Sequence, residues 1–584
     1  MAGQIKMANM PSIAKSINFN NVQVKDIGQD KCTISFELEN YEENTPVFIT
    51  LNNMTRKEIT TAMNKVDTHY EYVLDELNSN SRYSFYLSAK TNKNEFLSNI
   101  YSFTTIKITV YGVRVDESQS NPANAVTYIE DAVGISPGNN TGLGGWADKF
   151  PFNQIKIVGF NNGQATKELK KENKLQYIDG TPFNLNTDED IMVQIPKIYW
   201  DVKTITNGYE IRISDKKFND TCDCYAHKVC GIEKNYNYYG AFGGHVGGAG
   251  KLRSIPNAAL TTSKSLESFR TAAEAKGKGY CQNNYYQNKL ISLLSLISHK
   301  NLNTQESIGK GYSYGNSNKV NSGGSISKGF IYGEQGGKQQ MCYLGIEDFY
   351  GNLLWWIDGI KMNSSMNVKT ISDNYSFSTD SKYESLCTLT QQNGFLSKVL
   401  SENKTLFLPK QSSGANTTYY ADKTVVTSGN NYVPVFGGHY ADNLWAGSFS
   451  YRFNIISTST GSNRGSRLCY LGIPMEAAFA SPEPGLTSFT TNSTNIRILS
   501  DNRVDKIEFA IERNGEVILN EVHSDEFFTK TVNRYRYCKC PRPDSFEHGG
   551  NGDKINVTIK TSEEEIKLSH IVGQEEAIFD KNCV

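Results

Sequence analysis

Residues 342–360 read Cys-Tyr-Leu-Gly-Ile-Glu-Asp-Phe-Tyr-Gly-Asn-Leu-Leu-Trp-Trp-Ile-Asp-Gly-Ile and bring together two of the five tryptophans of the chain. Large aromatic side chains dominate the energetics of protein cores, and a buried indole N–H needs a hydrogen-bond partner. Gly351 and Asn352 suit a tight turn into the apolar run, because glycine reaches positive φ without strain. The stretch therefore predicts a buried strand at the centre of a core.

This stretch resembles the central motif of C-type-lectin-like domains of the formylglycine-generating-enzyme type. The same motif occurs in phage receptor-binding proteins of the major-tropism-determinant type. A second piece follows in the order found in those domains: Val435–Tyr440, Leu444–Phe449 and Gly465–Leu468 are similar to their Arg-Gly-Gly-Ser-Trp … Gly-Phe-Arg ending. The resemblance implies a C-type-lectin-like α+β domain. It implies less about activity, because one fold hosts many functions.

Composition favours a β-rich chain of several domains. Its 584 residues exceed what one hydrophobic core usually organises, and 48 Gly against 15 Pro suit many short strands joined by turns. The 60 basic and 61 acidic residues give a formal net charge of −1 without a basic stripe, so we expect no nucleic-acid partner. No signal peptide or membrane-length apolar run is visible, so we expect synthesis in a cytoplasm and no membrane insertion. Eleven scattered cysteines predict reduced thiols.

Changes of pattern along the chain predict five regions and a mainly β, multidomain fold with an α+β centre. The regions are an N-terminal arm at 1–15, a fibronectin type III-like β-sandwich at 16–106, a β-rich connecting region at 107–220, the C-type-lectin-like domain at 221–484 with an irregular polar insertion at 361–430, and a C-terminal β-sandwich at 485–584. The fibronectin resemblance rests on Leu77–Tyr83 with Phe103–Thr105, and it implies a tyrosine packed at a corner between two sheets.

Several local patterns fill in this outline. Tyr111–Asp116 and Ile191–Trp200 resemble tail-fibre proteins of phages that infect Gram-positive bacteria, and with residues 222–360 this resemblance covers over half of the chain. Asn207-Gly208 predicts a hairpin. Apolar residues at helical spacing predict helices over 263–275 and 288–300. The Gly/Ser/Lys-rich segment 309–340 predicts a surface loop.

Residues 438–465 supply the candidate binding residues. Rigid aromatic rings lie there beside amide and guanidinium groups, a mixture that suits recognition and the stacking of sugar faces. In the phage proteins that the chain resembles, the corresponding face contacts the receptor. The resemblance therefore implies receptor binding by His439, Tyr440, Asn443, Trp445, Tyr451, Arg452 and Arg464. Alternatively, Trp445 and Phe449 belong to the core. The Gly/Tyr-rich segment 236–257 and the C-terminal domain are the next surfaces to consider.

Metal and cofactor chemistry is not expected. Cys222, Cys224, His227 and Cys230 lie close together, but structural zinc sites usually draw Cys-x₂₋₄-Cys pairs from two separated places. Cys538-x-Cys540 would supply a second pair only if the C-terminal domain folded back. We therefore predict no metal and no cofactor.

Catalysis is not expected either. Enzymes of the formylglycine-generating branch use a cysteine pair near the second half of the motif, and this chain has no cysteine between Asn431 and Gly465. Glu347, Asp348 and Asp358 could provide the paired carboxylates of a glycosidase. Their position inside the fold motif favours turn caps and hydrogen-bond partners instead.

These observations predict a virion protein, a tail fibre or tail tip made in the cytoplasm of a bacterial host. Its predicted role is to bind a bacterial surface receptor, expected to be a glycan polymer, for adsorption. The other expected partners are further virion proteins and copies of the same chain, with a trimer favoured. The alternatives are an architectural virion protein, such as a capsid decoration or a baseplate or collar component, and a hydrolase of cell-surface glycan.

Overall fold

The computed structural model describes residues 16–473, apart from 29, 43–44, 53, 67–68, 372–376 and 379, and beyond them eight strands between 476 and 571. The chain divides into two compact units, Met1–Thr109 and Val110–Val584. Strands far outnumber helices, which confirms the predicted β-rich, multidomain class. The predicted N-terminal arm lies outside the described residues.

The first unit consists of two antiparallel sheets. Its strands are β1 (Asn18–Lys25), β2 (Cys32–Glu39), β3 (Val47–Leu51), β4 (Thr55–Glu58), β5 (Asn64–Val66), β6 (His69–Leu74), β7 (Arg82–Lys90), β8 (Glu95–Leu97) and β9 (Tyr101–Thr104). One sheet has the order β1-β2-β6-β5, and the other has the order β4-β3-β7, with β8 and β9 both paired to β7.

Alternation along the strands builds the core of this unit. Ile34 and Phe36 on β2 are fully buried, as is Leu87 on β7, because successive side chains of a strand point to opposite faces. The hydroxyl of Tyr83 accepts the backbone N–H of Asn78 at 2.7 Å, and its ring stacks on Phe103 with centroids 5.6 Å apart. Tyr83 therefore joins the turn before β7 to the core.

The second unit contains most of the strands and all the described α-helices. Its strands up to residue 473 are β10 (Tyr111–Asp116), β11 (Val126–Glu130), β12 (Lys156–Asn161), β13 (Gln164–Glu168), β14 (Asp190–Pro196), β15 (Tyr199–Ile205), β16 (Gly208–Ser214), β17 (Lys228–Val229), β18 (Ile232–Glu233), β19 (Tyr236–Gly240), β20 (His245–Val246), β21 (Leu252–Arg253), β22 (Tyr280–Gln282), β23 (Cys342–Tyr343), β24 (Ile346–Glu347), β25 (Leu354–Trp356), β26 (Ile360–Met362), β27 (Asn367–Ile371), β28 (Tyr383–Thr388), β29 (Gln392–Phe395), β30 (Lys398–Val399), β31 (Pro409–Gln411), β32 (Lys423–Val426), β33 (Val433–Phe436), β34 (Tyr451–Ile455), β35 (Arg464–Gly465) and β36 (Leu468–Tyr470).

Three larger sheets contain most of these strands, and the others form sheets of two or three strands. A four-stranded sheet has the order β11-β10-β16-β15, and two six-stranded sheets have the orders β13-β12-β14-β19-β36-β22 and β29-β32-β34-β33-β25-β35. Asn207-Gly208 does mark a hairpin, since Ile205 pairs with Gly208 across the turn between β15 and β16.

Both predicted helices form, followed by a single turn of helix. They are α1 (Leu266–Glu274), α2 (Tyr285–His299) and α3 (Thr304–Ser307). The side chains of Ser265 and Asn284 accept backbone N–H groups of the first turns of α1 and α2, which satisfies donors that have no partner within the helix. Because Asn284 is the N-cap, α2 begins at Tyr285, three residues before its predicted start at Asn288. All 15 residues of α2 are buried.

The tryptophan pair lies on a buried strand in the interior of the second unit, as predicted. Trp355 and Trp356 are 1% and 0% exposed, and β25 pairs with β33 on one side and β35 on the other. The Trp355 indole donates to the carbonyl of Asp348 at 2.8 Å, and the Trp356 indole donates to that of Lys264 at 3.3 Å. The two rings enter different apolar clusters, so β25 contributes to both faces of its sheet.

The segment 309–340 is a loop but is not confined to the surface. It contains no strand or helix, yet Ser313, Ser322 and Ser325 are buried. The Glu347 carboxylate accepts the N–H groups of Gly323 and Ser325 at 2.7 Å each. The prediction of a surface loop was therefore wrong for this part, because a carboxylate from the central motif holds the loop against the core.

The predicted insertion at 361–430 contains regular strands, so the expectation that it is irregular was wrong. Strands β27 to β32 lie within it. β32 pairs in parallel with β34, with Val425 opposite Arg452, so this segment completes the sheet of β25. Short strands separated by turns leave little alternation for a sequence pattern to detect.

The connecting region also shares the core of the second unit. β14 pairs with β19, with Met192 opposite Gly240, so strands on both sides of residue 220 belong to one sheet. A single apolar cluster includes residues from Tyr111 to Leu471.

Two further antiparallel sheets follow. Their strands are β37 (Glu476–Ala480), β38 (Asn495–Leu499), β39 (Val504–Arg513), β40 (Glu516–His523), β41 (Phe528–Val532), β42 (Tyr535–Lys539), β43 (Lys554–Thr561) and β44 (Glu565–Ile571). The sheet orders are β37-β38-β42-β41 and β40-β39-β43-β44. Arg513 pairs with Glu516, where the sequence predicts a turn between two strands.

We expect Trp355→Ala to lower the free energy of unfolding by about 3–5 kcal/mol, because the large buried side chain leaves a cavity. Trp445→Ala is the matched control: that ring is 41% exposed, and exposed substitutions usually change stability by roughly 0.5 kcal/mol. Denaturant unfolding of the full chain measures both. Equal losses in the two variants would contradict the central position of β25.

Candidate functional site

A loop, residues 437–447, follows β33 and carries four of the predicted binding residues. Gly437 and Gly438 have φ angles of +90° and +84°, and a Cβ at Gly438 would lie 2.7 Å from that of Ala446. Glycine is therefore required where the loop begins. The N–H of Tyr440 donates to the carbonyl of Asn352 at 3.1 Å. This bond fixes the loop to the turn that precedes β25.

Asp442 anchors the loop from inside. Its side chain is 5% exposed, and its carboxylate accepts the N–H of His439 at 2.9 Å and the guanidinium of Arg452 at 2.8 Å. Burial lowers the pKa of the His439 imidazole, although the nearby Asp442 carboxylate opposes the shift. The neutral form of the ring is therefore favoured, and both ring nitrogens face protein groups: Nδ1 accepts the N–H of Ala441 at 3.2 Å, and Nε2 lies 3.3 Å from the Asp442 carboxylate.

Asn443 connects this loop to the segment 309–340. Its N–H donates to the carbonyl of Ser313 at 2.8 Å, and its side-chain oxygen accepts the N–H of Gly315 at 2.9 Å. Its φ is +56°, a conformation that Asn tolerates better than most residues. Asn443 therefore supports the loop and holds the residues on either side of Tyr314.

Two exposed aromatic rings accompany these supports. Trp445 and Tyr314 are each 41% exposed. The ammonium of Lys423 lies 3.5 Å from the centre of the Trp445 ring, and that of Lys310 lies 4.7 Å from the Tyr314 ring. We call the surface formed by His439, Tyr440, Asn443, Trp445 and Tyr314 the loop face. Exposed rings beside amide and ammonium groups can stack on a ligand and bind its polar groups.

Three of the predicted binding residues lie elsewhere. Tyr451 is completely buried, and its hydroxyl donates to Asn288 of α2 at 2.6 Å. Arg452 is 8% exposed and is paired with Asp442. These positions contradict a direct binding role for Tyr451 and Arg452.

Arg464 is half-buried on β35. It donates to the carbonyl of Thr460 at 2.6 Å and lies 5.5 Å from the Trp356 ring. Among the described residues, no hydrogen bond joins Arg464 to the loop face. Its described contacts, with Thr460 and Trp356, are to residues outside the loop face.

The sequence did not predict two residues at this surface: Tyr314, which belongs to the loop face, and Lys423, which lies beside it. Tyr314 lies more than a hundred residues before Trp445, and Lys423 begins β32 in the predicted irregular insertion. No local pattern connects these positions. The contacts of Asn443 and the pairing of β32 with β34 bring them to the loop.

The cysteine and histidine cluster does not gather around one point. Cys222 donates to the carbonyl of Asn219 at 3.2 Å, and His227 Nε2 lies 2.9 Å from the side-chain nitrogen of Asn237. Burial lowers the pKa of His227 to about 3. Cys230 is disulfide-bonded, so the expectation of reduced thiols was wrong for this residue.

One group of possible metal ligands is found among the described residues: Asp223, Cys224 and Glu233, whose ligand atoms lie within 4.8 Å of one another. Its carboxylates already have cationic partners. Lys228 lies 2.6 Å from Asp223, and Lys197 lies 3.1 Å from Glu233. The group is therefore a set of ion pairs that also contains a thiol.

The three candidate catalytic carboxylates are buried and bonded to donors. Glu347 holds the loop 309–340, as described above. Asp348 accepts the amides of Gln340 and Asn352 at 2.6 and 2.8 Å. Asp358 forms a two-point ion pair with Arg270 at 2.7 and 2.8 Å. All three side chains position segments of the fold.

No helix within the described ranges is long and apolar enough to span a bilayer. No protein-family model matches the chain, and no curated protein matches it. Among solved structures, the Major Tropism Determinant U1 variant overlaps 68% of this chain and 82% of its own, at 10% identity and a TM-score of 0.22. The P3c variant gives the same coverage at 10% identity and a TM-score of 0.23.

A human fibronectin type III domain, from fibronectin type III domain containing protein 3, overlaps 17% of this chain and 94% of its own. The identity is 13% and the TM-score is 0.13. Overlaps with TM-scores far below 0.5 do not establish a shared fold, so the function has to be argued from the residues of this chain.

We expect protein purified without chelator to contain no stoichiometric zinc, because the Cys222–Cys230 segment does not supply a convergent set of ligands. Elemental analysis of the full chain measures this directly. Cys222→Ser should leave the metal content unchanged. One zinc per chain that is lost together with stability in this variant would contradict the prediction.

Proposed function

We propose that this chain is a tail-fibre or tail-tip protein of a bacteriophage that binds a glycan polymer on a Gram-positive host. The loop face carries the proposal, since it places exposed aromatic rings on a support that is tied to the core. In this proposal the protein is not an enzyme, and binding to the host surface is its activity.

Rigidity is the property that makes the loop face suitable for binding. Tyr440 is fixed to Asn352, and Asp442 lies beneath the loop in contact with Arg452. A surface that is ordered before binding loses less conformational entropy when it forms a complex. The exposed Trp445 ring can therefore act as an anchor without first being ordered by the ligand.

The chemistry of the loop face favours a glycan. The C–H faces of sugar rings stack on aromatic side chains, and Tyr and Trp provide this area at low entropic cost. The phenol hydroxyls of Tyr314 and Tyr440 add groups that can bind sugar hydroxyls. Lys423 next to Trp445 adds a positive charge, which would favour polymers with anionic substituents.

The fold assignments in this proposal rest on where the sequence motifs lie. The stretch that resembles the C-type-lectin-like centre forms β25 and its preceding turn, and Gly465 of the second piece pairs with Trp355. The two halves of the motif therefore meet in space, which supports a C-type-lectin-like second unit. Tyr83, at the start of β7, bonds to the preceding turn and supports a fibronectin type III-like first unit. A C-terminal β-sandwich, other virion proteins and a homotrimer complete the proposal.

We expect the labelled full chain to bind saturably to at least one strain in a panel of low-GC Gram-positive bacteria. Tyr440→Ala and Trp445→Ala should each weaken this binding at least about tenfold, because aromatic anchors commonly contribute ~2 kcal/mol or more. Thermal melting should stay close to that of the wild type. Flow cytometry across a concentration series gives the affinities.

Ile178→Ala is the matched control, because Ile178 is 57% exposed in a different loop of the same unit. Loop-face variants that bind like the wild type would remove this surface from consideration. Absence of binding to every strain would favour the architectural alternative. Release of reducing sugar from the cells would instead indicate a hydrolase.

A further inference from the structure

A cleft of about 310 Å³ lies where the chain passes from one sheet of the second unit to another. Its wall includes the connection between β14 and β15, since Pro196, Lys197 and Tyr199 line it. Pro196 pairs with Tyr236 across β14 and β19, and the N–H of Lys197 donates to the carbonyl of Asn235 at 2.8 Å. Sheet pairing therefore fixes this side of the cleft.

Aromatic surface is available inside the cleft. Tyr236 is 44% exposed although it belongs to a strand. Phe150, which is half-buried, and Tyr199 also line the cleft. Side-chain amides come from Gln154 and Asn235. Rings and amides together are the groups that bind the faces and hydroxyls of a sugar.

The charge of the cleft is positive. Lys197, Lys216 and Lys217 line it together with Asp215. The Glu233 carboxylate pairs with Lys197, and one positive charge remains in excess. The ammonium of Lys216 is exposed, and no hydrogen bond or ion pair of this group is found within the described part of the chain. An anionic ligand would gain a charge-assisted bond there without breaking an existing one.

Lys197 is held in a different way. Its ammonium lies 3.1 Å from the Glu233 carboxylate, which also accepts the hydroxyl of Tyr199. Burial acts to raise the pKa of Glu233, but the bonds from Tyr199 and Lys197 outweigh it and lower that pKa. Glu233 is therefore ionised at neutral pH and keeps Lys197 and Tyr199 in place. The cleft has fixed residues on one side and the available Lys216 on the other.

We propose that this cleft is a second binding site, separate from the loop face, for an anionic saccharide unit. The sugar ring would stack on Tyr236, and its phosphate or carboxylate would contact Lys216. The volume lies at the lower end of the range for small-molecule sites, about 300–1,000 Å³, which suits one or a few sugar rings. Since the cleft is open and mostly polar, it would hold one unit of a longer chain whose remainder stays in solvent.

The test uses the full chain, three sugar probes (N-acetylglucosamine 6-phosphate, glucuronic acid and N-acetylglucosamine) and inorganic phosphate as a comparison. Isothermal titration should show saturable binding of both charged probes and at least about tenfold weaker binding of the neutral one, as expected for a lost charge-assisted bond. Lys216→Gln should weaken only the charged probes. Tyr236→Ala should weaken all three, because it removes the stacking surface.

Lys203→Gln is the matched control, since Lys203 is an exposed lysine of β15 that does not line the cleft. It should bind all probes like the wild type. Trp445→Ala should also retain cleft binding, which separates this proposal from the loop face. The proposal is overturned if neither charged probe binds, if both cleft variants bind like the wild type, or if inorganic phosphate binds as tightly as the sugar phosphate.

Discussion

The buried guanidinium of Arg467 is the interaction on which the second unit most depends. It donates to the carbonyl oxygens of Gly240, Glu347 and Asp348 at 2.9, 2.6 and 3.0 Å, and it lies 4.8 Å from the centre of the Trp355 ring. A buried charge is costly unless its donors find acceptors. Gly240 lies more than a hundred residues before Glu347 and Asp348, so one side chain fixes β19, the end of β24 and β25 relative to one another.

The same contacts extend from the core to the loop face. Burial raises the pKa of the Asp348 carboxyl, and the adjacent Glu347 raises it further. Asp348 also accepts the Asn352 amide, and the carbonyl of Asn352 accepts the N–H of Tyr440. Asp348, one of the candidate catalytic carboxylates, thus links Arg467 in the core to the exposed loop through Asn352.

The sequence predicts the parts of this structure that depend on local pattern. The helices α1 and α2, the hairpin at Asn207-Gly208 and the buried Trp355 follow from periodicity, turn residues and aromatic content. Tyr451 could not be placed in this way, because its burial depends on Asn288 of α2. Tyr314 could not be placed either, because its position depends on the contacts of Asn443 with Ser313 and Gly315. For the candidate site, the sequence identifies the loop and its aromatic residues. It does not show which of these residues face solvent, because their exposure depends on contacts between distant segments.

Support and contact are divided between different residues of the loop face, and this division decides which substitutions are informative. Arg452→Ala would leave the Asp442 carboxylate buried beside one neutral imidazole, and an uncompensated buried charge strongly destabilises a protein. Lost binding in that variant would then report a displaced loop. Trp445 differs from Arg452, because its ring is exposed and its described ring contact is with the Lys423 ammonium. Its removal should therefore leave the loop in place. Binding measured on exposed rings therefore reports recognition, whereas binding measured on Asp442, Asn443 or Arg452 reports the architecture that holds those rings.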